Sequence, residues 1–240
     1  MTVETKEIKK SNLRENGPAF LGFLDNWLEG LPSLTFAQVL AGASPDRVAV
    51  FSVDLINGFC YEGALSSPRV AAVVEPARQV FEKAYANGVS QFMLVQDCHT
   101  PEAGEFGEFP THCLAGTKEA EPVAALANLP FADSFTTLPK NSLSASVNTG
   151  LEEWLQARPQ LDTYIIVGDC TDLCVYQMAM YLKMRANSLS LRQRVIIPAN
   201  TVDTYDLPLE GMGNHPGDFF HATFLYHLAV NGAEVVRSIE

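Results

Sequence analysis

The sequence predicts a three-layer α/β fold: a Rossmann-like, mostly parallel sheet with helices on both faces, preceded by a helical N-terminal extension. Two observations predict it. Short β-branched runs such as Val48-Ala-Val-Phe-Ser-Val53 and Tyr164-Ile-Ile-Val167 are almost continuously apolar, so both faces of those strands must be covered. These runs alternate with longer stretches whose apolar residues recur at helical spacing, the order that builds parallel crossovers.

Taken in order, residues 11–43 carry Phe20, Phe23, Leu24, Trp27, Leu28 and Leu31 at helical spacing. A second short helical run, 36–40, follows Pro32. The pattern changes abruptly at 47–53, a buried strand. Residues 70–86 read as a helix closed by Asn87-Gly88, and 91–95 as a strand. A shorter strand is expected at 134–138 and a helix at 151–157. Residues 163–167 form the clearest strand, its apolar run ending at Gly168. A helix at 173–186, a strand at 194–197, a helix at 219–230 and a last strand at 233–236 complete the pattern. The expected division is an extension over 1–46 and one α/β domain over 47–240.

Composition supports a single packed domain and narrows its partners. The 240 residues are 47% hydrophobic and 18% charged, enough to bury a real core. Sixteen basic against 28 acidic residues leave a net charge of −12, which argues against nucleic acid and against anionic membrane. No apolar run approaches the roughly 18 residues of a membrane span. The charged opening, residues 1–10, is not expected to act as a secretory signal. Five cysteines (Cys60, Cys98, Cys113, Cys170 and Cys174) read as reduced thiols, and a cytoplasmic setting is expected.

Open parallel sheets build sites beyond the carboxyl ends of their strands. The reactive residues fall there: Asp54 after the first strand, Asp97, His99 and His112 after the second, Lys140 after the third. Cys174 opens the helix after the fourth. A cysteine in a first helical turn gains thiolate character from the dipole and free N–H groups, which also suit an oxyanion. Alone, it reads equally well as a small buried hydrophobe. A thiol attacking an amide needs a base, and Asp54 in an apolar mouth beside Phe51 and Phe59 would have its pKa raised by desolvation. Lys140 would stabilise the charged forms of both. Taken singly, Asp54 reads as a turn residue and Lys140 as a solvated loop lysine. Asp97-Cys-His99 can point two ligands at one ion, with His112 as a third and Glu105 as a possible fourth. Nitrogen and carboxylate donors suit Zn2+, Fe2+ or Mn2+. His215, His221 and His227 read as structural.

These residues resemble a known family. Asp54, Lys140 in Leu-Pro-Lys-Asn-Ser, and Cys174 in Gly-Asp-Cys-Thr-Asp-Leu-Cys-Val are similar to the Asp–Lys–Cys triad of the isochorismatase-like cysteine hydrolases. Asp97-Cys-His99 and Phe109-Pro-Thr-His112 resemble the metal-binding segments of the nicotinamidases, enzymes of NAD salvage that hydrolyse nicotinamide to nicotinate and ammonia. The resemblance implies Cys174 as nucleophile, Asp54 as general base then acid, and Lys140 as the third member. It implies one divalent metal, Zn2+ first, on Asp97, His99 and His112, with Glu105 as a variable fourth ligand. It places the oxyanion hole on the N–H groups of Cys170 and Cys174, with a cis bond between Asp169 and Cys170. Phe59 and Phe109 match positions flanking the pyridine ring. Two departures concern pocket shape: Cys98 and Phe109 stand where nicotinamidases commonly carry tryptophan. The extension has no counterpart in short bacterial forms, and its stripe (Phe20, Phe23, Trp27, Leu31) is expected to pack on the domain or to join a homo-oligomer.

Three functions remain in view. The first is a metal-containing amidase acting on nicotinamide. The second is a superfamily amidase acting on another small amide or carbamoyl compound, and the third a catalytically silent binding protein. The three metal-ligand candidates favour the first, and an intact triad counts against the third. Isochorismate hydrolysis needs no thiol. A dinucleotide-binding oxidoreductase is excluded because no G-x-G-x-x-G follows the first strand.

Overall fold

A computed structural model describes residues 11–207 and 214–240; the charged opening, residues 1–10, lies outside them. The chain begins with helices α1 (Leu13–Glu29) and α2 (Phe36–Leu40), the second opened by a reciprocal Thr35–Gln38 capping box. There follow β1 (Val48–Val53), α3 (Asn57–Cys60), α4 (Pro68–Ala86), β2 (Gln91–Asp97), α5 (Ala124–Ala127) and β3 (Thr136–Lys140). Then come α6 (Leu151–Gln156), β4 (Thr163–Asp169), α7 (Cys174–Ser188), β5 (Arg194–Pro198), β6 (Val202–Asp203), α8 (Gly217–Val230) and β7 (Glu234–Val236). Seven strands form one sheet in the order β3-β2-β1-β4-β5-β7, with β6 pairing the end of β4. Every pairing is parallel.

Alternation along the strands divides the core in two. Val48, Val50, Ile165 and Val167 face α4, which buries Val70, Val73, Val74, Ala77, Val80, Phe81 and Ala84 at spacings of three and four. Ala49, Phe51, Val53 and Ile166 face the other way, onto Val175, Met178, Ala179 and Leu182 of α7 and Leu225 and Leu228 of α8. Each buried Val, Leu, Ile, Met or Phe among them contributes about 1.5–3 kcal/mol.

The structure moves several expected boundaries. β3 begins and ends two residues later than the apolar pattern suggested, because its register on β2 runs from Met93↔Thr136 to Asp97↔Lys140. Its Pro139 is tolerated on an edge strand, where no neighbour needs its missing N–H. β2 and β4 each continue two residues beyond their apolar runs, to Asp97 and Asp169. Hydrophobic patterning ends where a strand enters the site, but backbone pairing does not. The short α3, α5 and β6 carry no periodic signal and are not among the expected elements.

The stripe on α1 meets the domain. Phe20, Phe23 and Trp27 surround Tyr226 of α8, with ring centroids 5.8, 5.2 and 5.4 Å away. The segment behind α1 is tied to the C-terminal end by backbone bonds, Leu34 N–H to Ser238 O at 2.9 Å and Glu240 N–H to Leu34 O at 2.7 Å. Among the described residues no helix is long and apolar enough to cross a membrane.

One glycine sets the approach of the two central strands. Gly168 has φ +120°, and a Cβ there would lie 1.9 Å from the Val53 carbonyl oxygen. It pairs with Val53, so Asp54, just beyond β1, and Asp169, the last residue of β4, follow on neighbouring strands.

Candidate active site

Four adjacent strand ends deliver the reactive groups. Asp54 follows the last residue of β1, Asp97 closes β2, Lys140 closes β3, and Asp169 closes β4. Cys174 is the first residue of α7. Asp54 turns out of the sheet at φ 55°, a left-handed conformation rare outside glycine. Its N–H still donates to Val95 O, and its Oδ1 accepts from Asp97 N–H, both at 2.8 Å.

Lys140 stands at the centre, fully enclosed. Its Nζ lies 2.8 Å from Asp54 Oδ2, 2.5 Å from Asp97 Oδ1 and 3.5 Å from Cys174 Sγ. Asp54, Asp97 and Cys174 present atoms within 4.8 Å of one another, and the ammonium accounts for that convergence. Burial would discharge the lysine, but Asp54, Cys174 and Asp97 outweigh it and hold its pKa well above the usual value. Burial and the neighbouring Asp97 charge push Asp54 up to about 6, against the pull of Lys140. Burial also pushes the Cys174 thiol well up; Lys140 opposes this and Asp54 reinforces it. The helix terminus therefore does not by itself make Cys174 a resting thiolate, and its proton needs an acceptor.

A second cluster shares Asp97. His99 Nε2 lies 3.5 Å from Asp97 Oδ1 and 3.6 Å from Glu105 Oε1, and His112 Nε2 3.9 Å from Asp97 Oδ2 and 3.8 Å from Glu105 Oε1. The four donor atoms fall within 4.8 Å of one another. Asp97 Oδ2, His99 Nε2 and Glu105 Oε1 are buried without a hydrogen-bond partner, an expensive arrangement unless a cation sits among them. Both Nδ1 atoms are engaged elsewhere, His99 with Asn141 Oδ1 at 3.2 Å and His112 with Pro110 O at 2.7 Å, which aims both Nε2 atoms inward. Two nitrogens and two carboxylate oxygens fit a divalent transition metal or zinc.

Both clusters open on one cavity of about 430 Å³, lined by Asp54, Asp97, Glu105, His112, Cys170 and Cys174. Phe59 and Phe109 line it too, their rings 5.5 and 6.4 Å from His112. Phe51, expected at the mouth, instead belongs to the opposite core, stacked 5.7 Å from Tyr164. Its position in the strand sends it to the other face. The Asp169–Cys170 peptide bond is cis. As the first residue of α7, Cys174 has no helical acceptor for its N–H.

The sequence reading missed several residues of this site. Asn141 orients His99, and Phe106 packs 5.3 Å from the His99 ring and 5.6 Å from His112. The Lys-Asn pair at 140–141 was visible, but only pairing with β2 brings Asn141 to His99. Asp169 was placed next to the cis bond and given no part. Two of the three histidines set aside as structural brace the turn before Cys174: His215 Nε2 faces Asp172 Oδ2 at 2.8 Å and His221 Nδ1 faces Thr171 Oγ1 at 3.0 Å, while His227 Nδ1 faces the Tyr176 hydroxyl at 2.9 Å.

Comparison with known proteins bears on the family and the fold. Nicotinamidase 1 of Arabidopsis thaliana is 28% identical over 213 residues, 80% of this chain and 86% of that protein. Among solved structures, a cysteine hydrolase from Pseudomonas syringae pv. phaseolicola 1448A superposes with TM-score 0.68 at 25% identity, covering 80% of this chain and 88% of the other. N-carbamoylsarcosine amidase from Thermoplasma acidophilum superposes with TM-score 0.63 at 25% identity, covering 80% and 96%. The isochorismatase domain model matches residues 48–206, and the chain belongs to the isochorismatase family.

Proposed function

We propose that this chain is a metal-containing cysteine amidohydrolase whose substrate is nicotinamide, converted with water to nicotinate and ammonia. The observation that carries this reading is the single Lys140 ammonium touching Asp54, Asp97 and Cys174, because it joins a nucleophile–base pair to a four-donor cage in one cavity. The similarity to Nicotinamidase 1 supports the choice of amide.

The residues divide the work by position. Cys174 Sγ attacks the carboxamide carbon as its proton passes to Asp54, so the nucleophile is made only when the substrate is in place. The oxygen that becomes negative faces the N–H groups of Cys170 and Cys174. Asp54 returns the proton to the amide nitrogen, the C–N bond breaks, ammonia leaves, and a thioester to Cys174 remains. A water deprotonated by Asp54 then attacks the thioester, the C–S bond breaks, and the proton returns to sulfur. Lys140 compensates the charges that appear on Asp54 and Cys174. Phe59 and Phe109 hold the aromatic ring. Asp97, His99, His112 and Glu105 would hold one divalent ion, Zn2+ first and Fe2+ or Mn2+ by the same donor set, which supplies a Lewis-acid contact for a ring nitrogen and so fixes the carboxamide over the thiol.

Ammonia release from nicotinamide by the purified protein, with and without prior chelation, tests the reading, with Cys174→Ala as the control. Chelator-sensitive turnover that disappears in Cys174→Ala is expected. Turnover of an acyclic amide or carbamoyl compound in place of nicotinamide would keep the triad and refute the substrate.

A further inference from the structure

Asp169 is a buried acid that the proposed reaction leaves unused. It closes β4 with 1% of its surface exposed, and its Oδ1 is buried with no hydrogen-bond partner. Its Oδ2 has one weak donor, the Cys170 thiol at 3.6 Å. No basic side chain among the described residues pairs with it, although Lys140 reaches Asp54 on the neighbouring strand. The residue lines the same cavity as Asp54, Cys170 and Cys174.

Register fixes where that carboxyl lies. Val53 pairs with Gly168, so Asp54 and Asp169 are the next neighbours across parallel strands, whose axes run about 4.8 Å apart. Asp169 lines the cavity together with Asp54, Cys174 and Val70 of α4. A carboxamide with its oxygen toward the Cys170 and Cys174 N–H groups must turn its nitrogen toward Asp54, the group that protonates it. The nitrogen then lies between Asp54 and Asp169.

We propose that Asp169 is a specificity-determining residue: its Oδ1 accepts a hydrogen bond from the leaving-group N–H and so selects amides over esters of the same acid. This inference rests on the amidase reading and goes beyond it, because the triad alone would acylate Cys174 from an ester as readily as from an amide. Burial and the adjacent Asp54 hold the Asp169 carboxyl well above the usual carboxylate range, which disfavours a second negative charge beside Asp54. An apolar residue at that place would accept nothing, and the amide would lose one buried hydrogen bond that an ester never makes.

The test compares nicotinamide with methyl nicotinate, which deliver the same acyl group to Cys174, in wild-type protein, Asp169→Leu and Asp169→Asn. The expected result for Asp169→Leu is a loss of about 10–100-fold in kcat/KM for the amide, the scale of one buried hydrogen bond, with the ester within about threefold of wild type. Asp169→Asn keeps a carbonyl oxygen and should recover most of the amide preference. Asp169→Ala replaces the leucine variant should that side chain prevent folding, as judged by circular dichroism. Equal losses on amide and ester, or no loss on either, would overturn the inference while leaving the amidase reading intact. A wild-type protein inactive on both substrates would refute the amidase reading and this inference with it.

Discussion

Replacing Lys140 with methionine isolates the interaction on which the site is built. The substitution keeps an unbranched stem and removes the charge. In the folded protein Nζ lies 2.8 Å from Asp54 and 2.5 Å from Asp97, each carboxylate only 1% exposed. At an effective dielectric near 20 each contact is worth about 6 kcal/mol, roughly 12 together. Removing the lysine also recovers several kcal/mol of its own desolvation, so the net loss should fall in the range of about 3–5 kcal/mol seen when a buried pair loses one partner. In a chain of 240 residues that lowers Tm by about 6–20 °C. Thermal and urea unfolding of chelator-treated wild-type and Lys140→Met proteins would measure it. Adding Asp54→Asn should restore part of the loss, because one of the two orphaned charges is then gone. A single variant within about 1 kcal/mol of wild type, or a double variant no more stable than the single, would refute the argument.

Other expectations rest on different parts of the molecule. His112→Ala should reduce bound divalent metal after dialysis, read by elemental analysis; undiminished stoichiometry would remove His112 from the cage. Gly168→Ala should cost several kcal/mol or abolish folding, because the new methyl would meet the Val53 carbonyl oxygen at 1.9 Å, and near-native urea unfolding would contradict that geometry. Arg185 and Tyr181 hold the Glu152 carboxyl down to about 2 through hydrogen bonds to its oxygens. A depressed acid stabilises above its unfolded value of 4.5 and loses that contribution as pH falls toward 2. The stability gap between wild type and Glu152→Gln should therefore be at most about 1 kcal/mol at pH 6.5, the pair being partly solvated, and should shrink by pH 3.5. A gap that widens on acidification would reverse the assignment.

The legible part of this fold was its apolar part. Runs such as Tyr164 to Val167 marked the strands because burial on both faces leaves no room for polar alternation. The same signal failed where strands stop being core. β2 and β4 continue through Gln96-Asp97 and Gly168-Asp169, polar or small residues whose backbone still pairs. The triad and cage residues were legible one by one, as reactive types at strand ends. What joins them was not, because Lys140 between Asp54 and Asp97 depends on the β2–β3 register. Asn141 and Phe106 were missed for the same reason: they support ligands rather than carry chemistry, and only tertiary pairing shows which ligand each supports.

Asp97 is where the two chemistries meet. Its Oδ1 binds Lys140 and its Oδ2 is left toward His112, so one carboxylate divides its charge between the triad and the cage. A cation in the cage would draw on that charge, and Lys140 would then depend more on Asp54 and on the sulfur as it becomes negative. Under the proposed reaction, whatever filled the cage would therefore also change the electrostatic balance around Cys174. The strand order makes this unavoidable. β3, β2, β1 and β4 are consecutive neighbours, and their ends place Lys140, Asp97, Asp54 and Asp169 in a row. An acid at each of three adjacent strand ends with a single lysine beside them leaves one acid without a cation. By position that acid is Asp169, and by the same logic it is the one free to address the substrate.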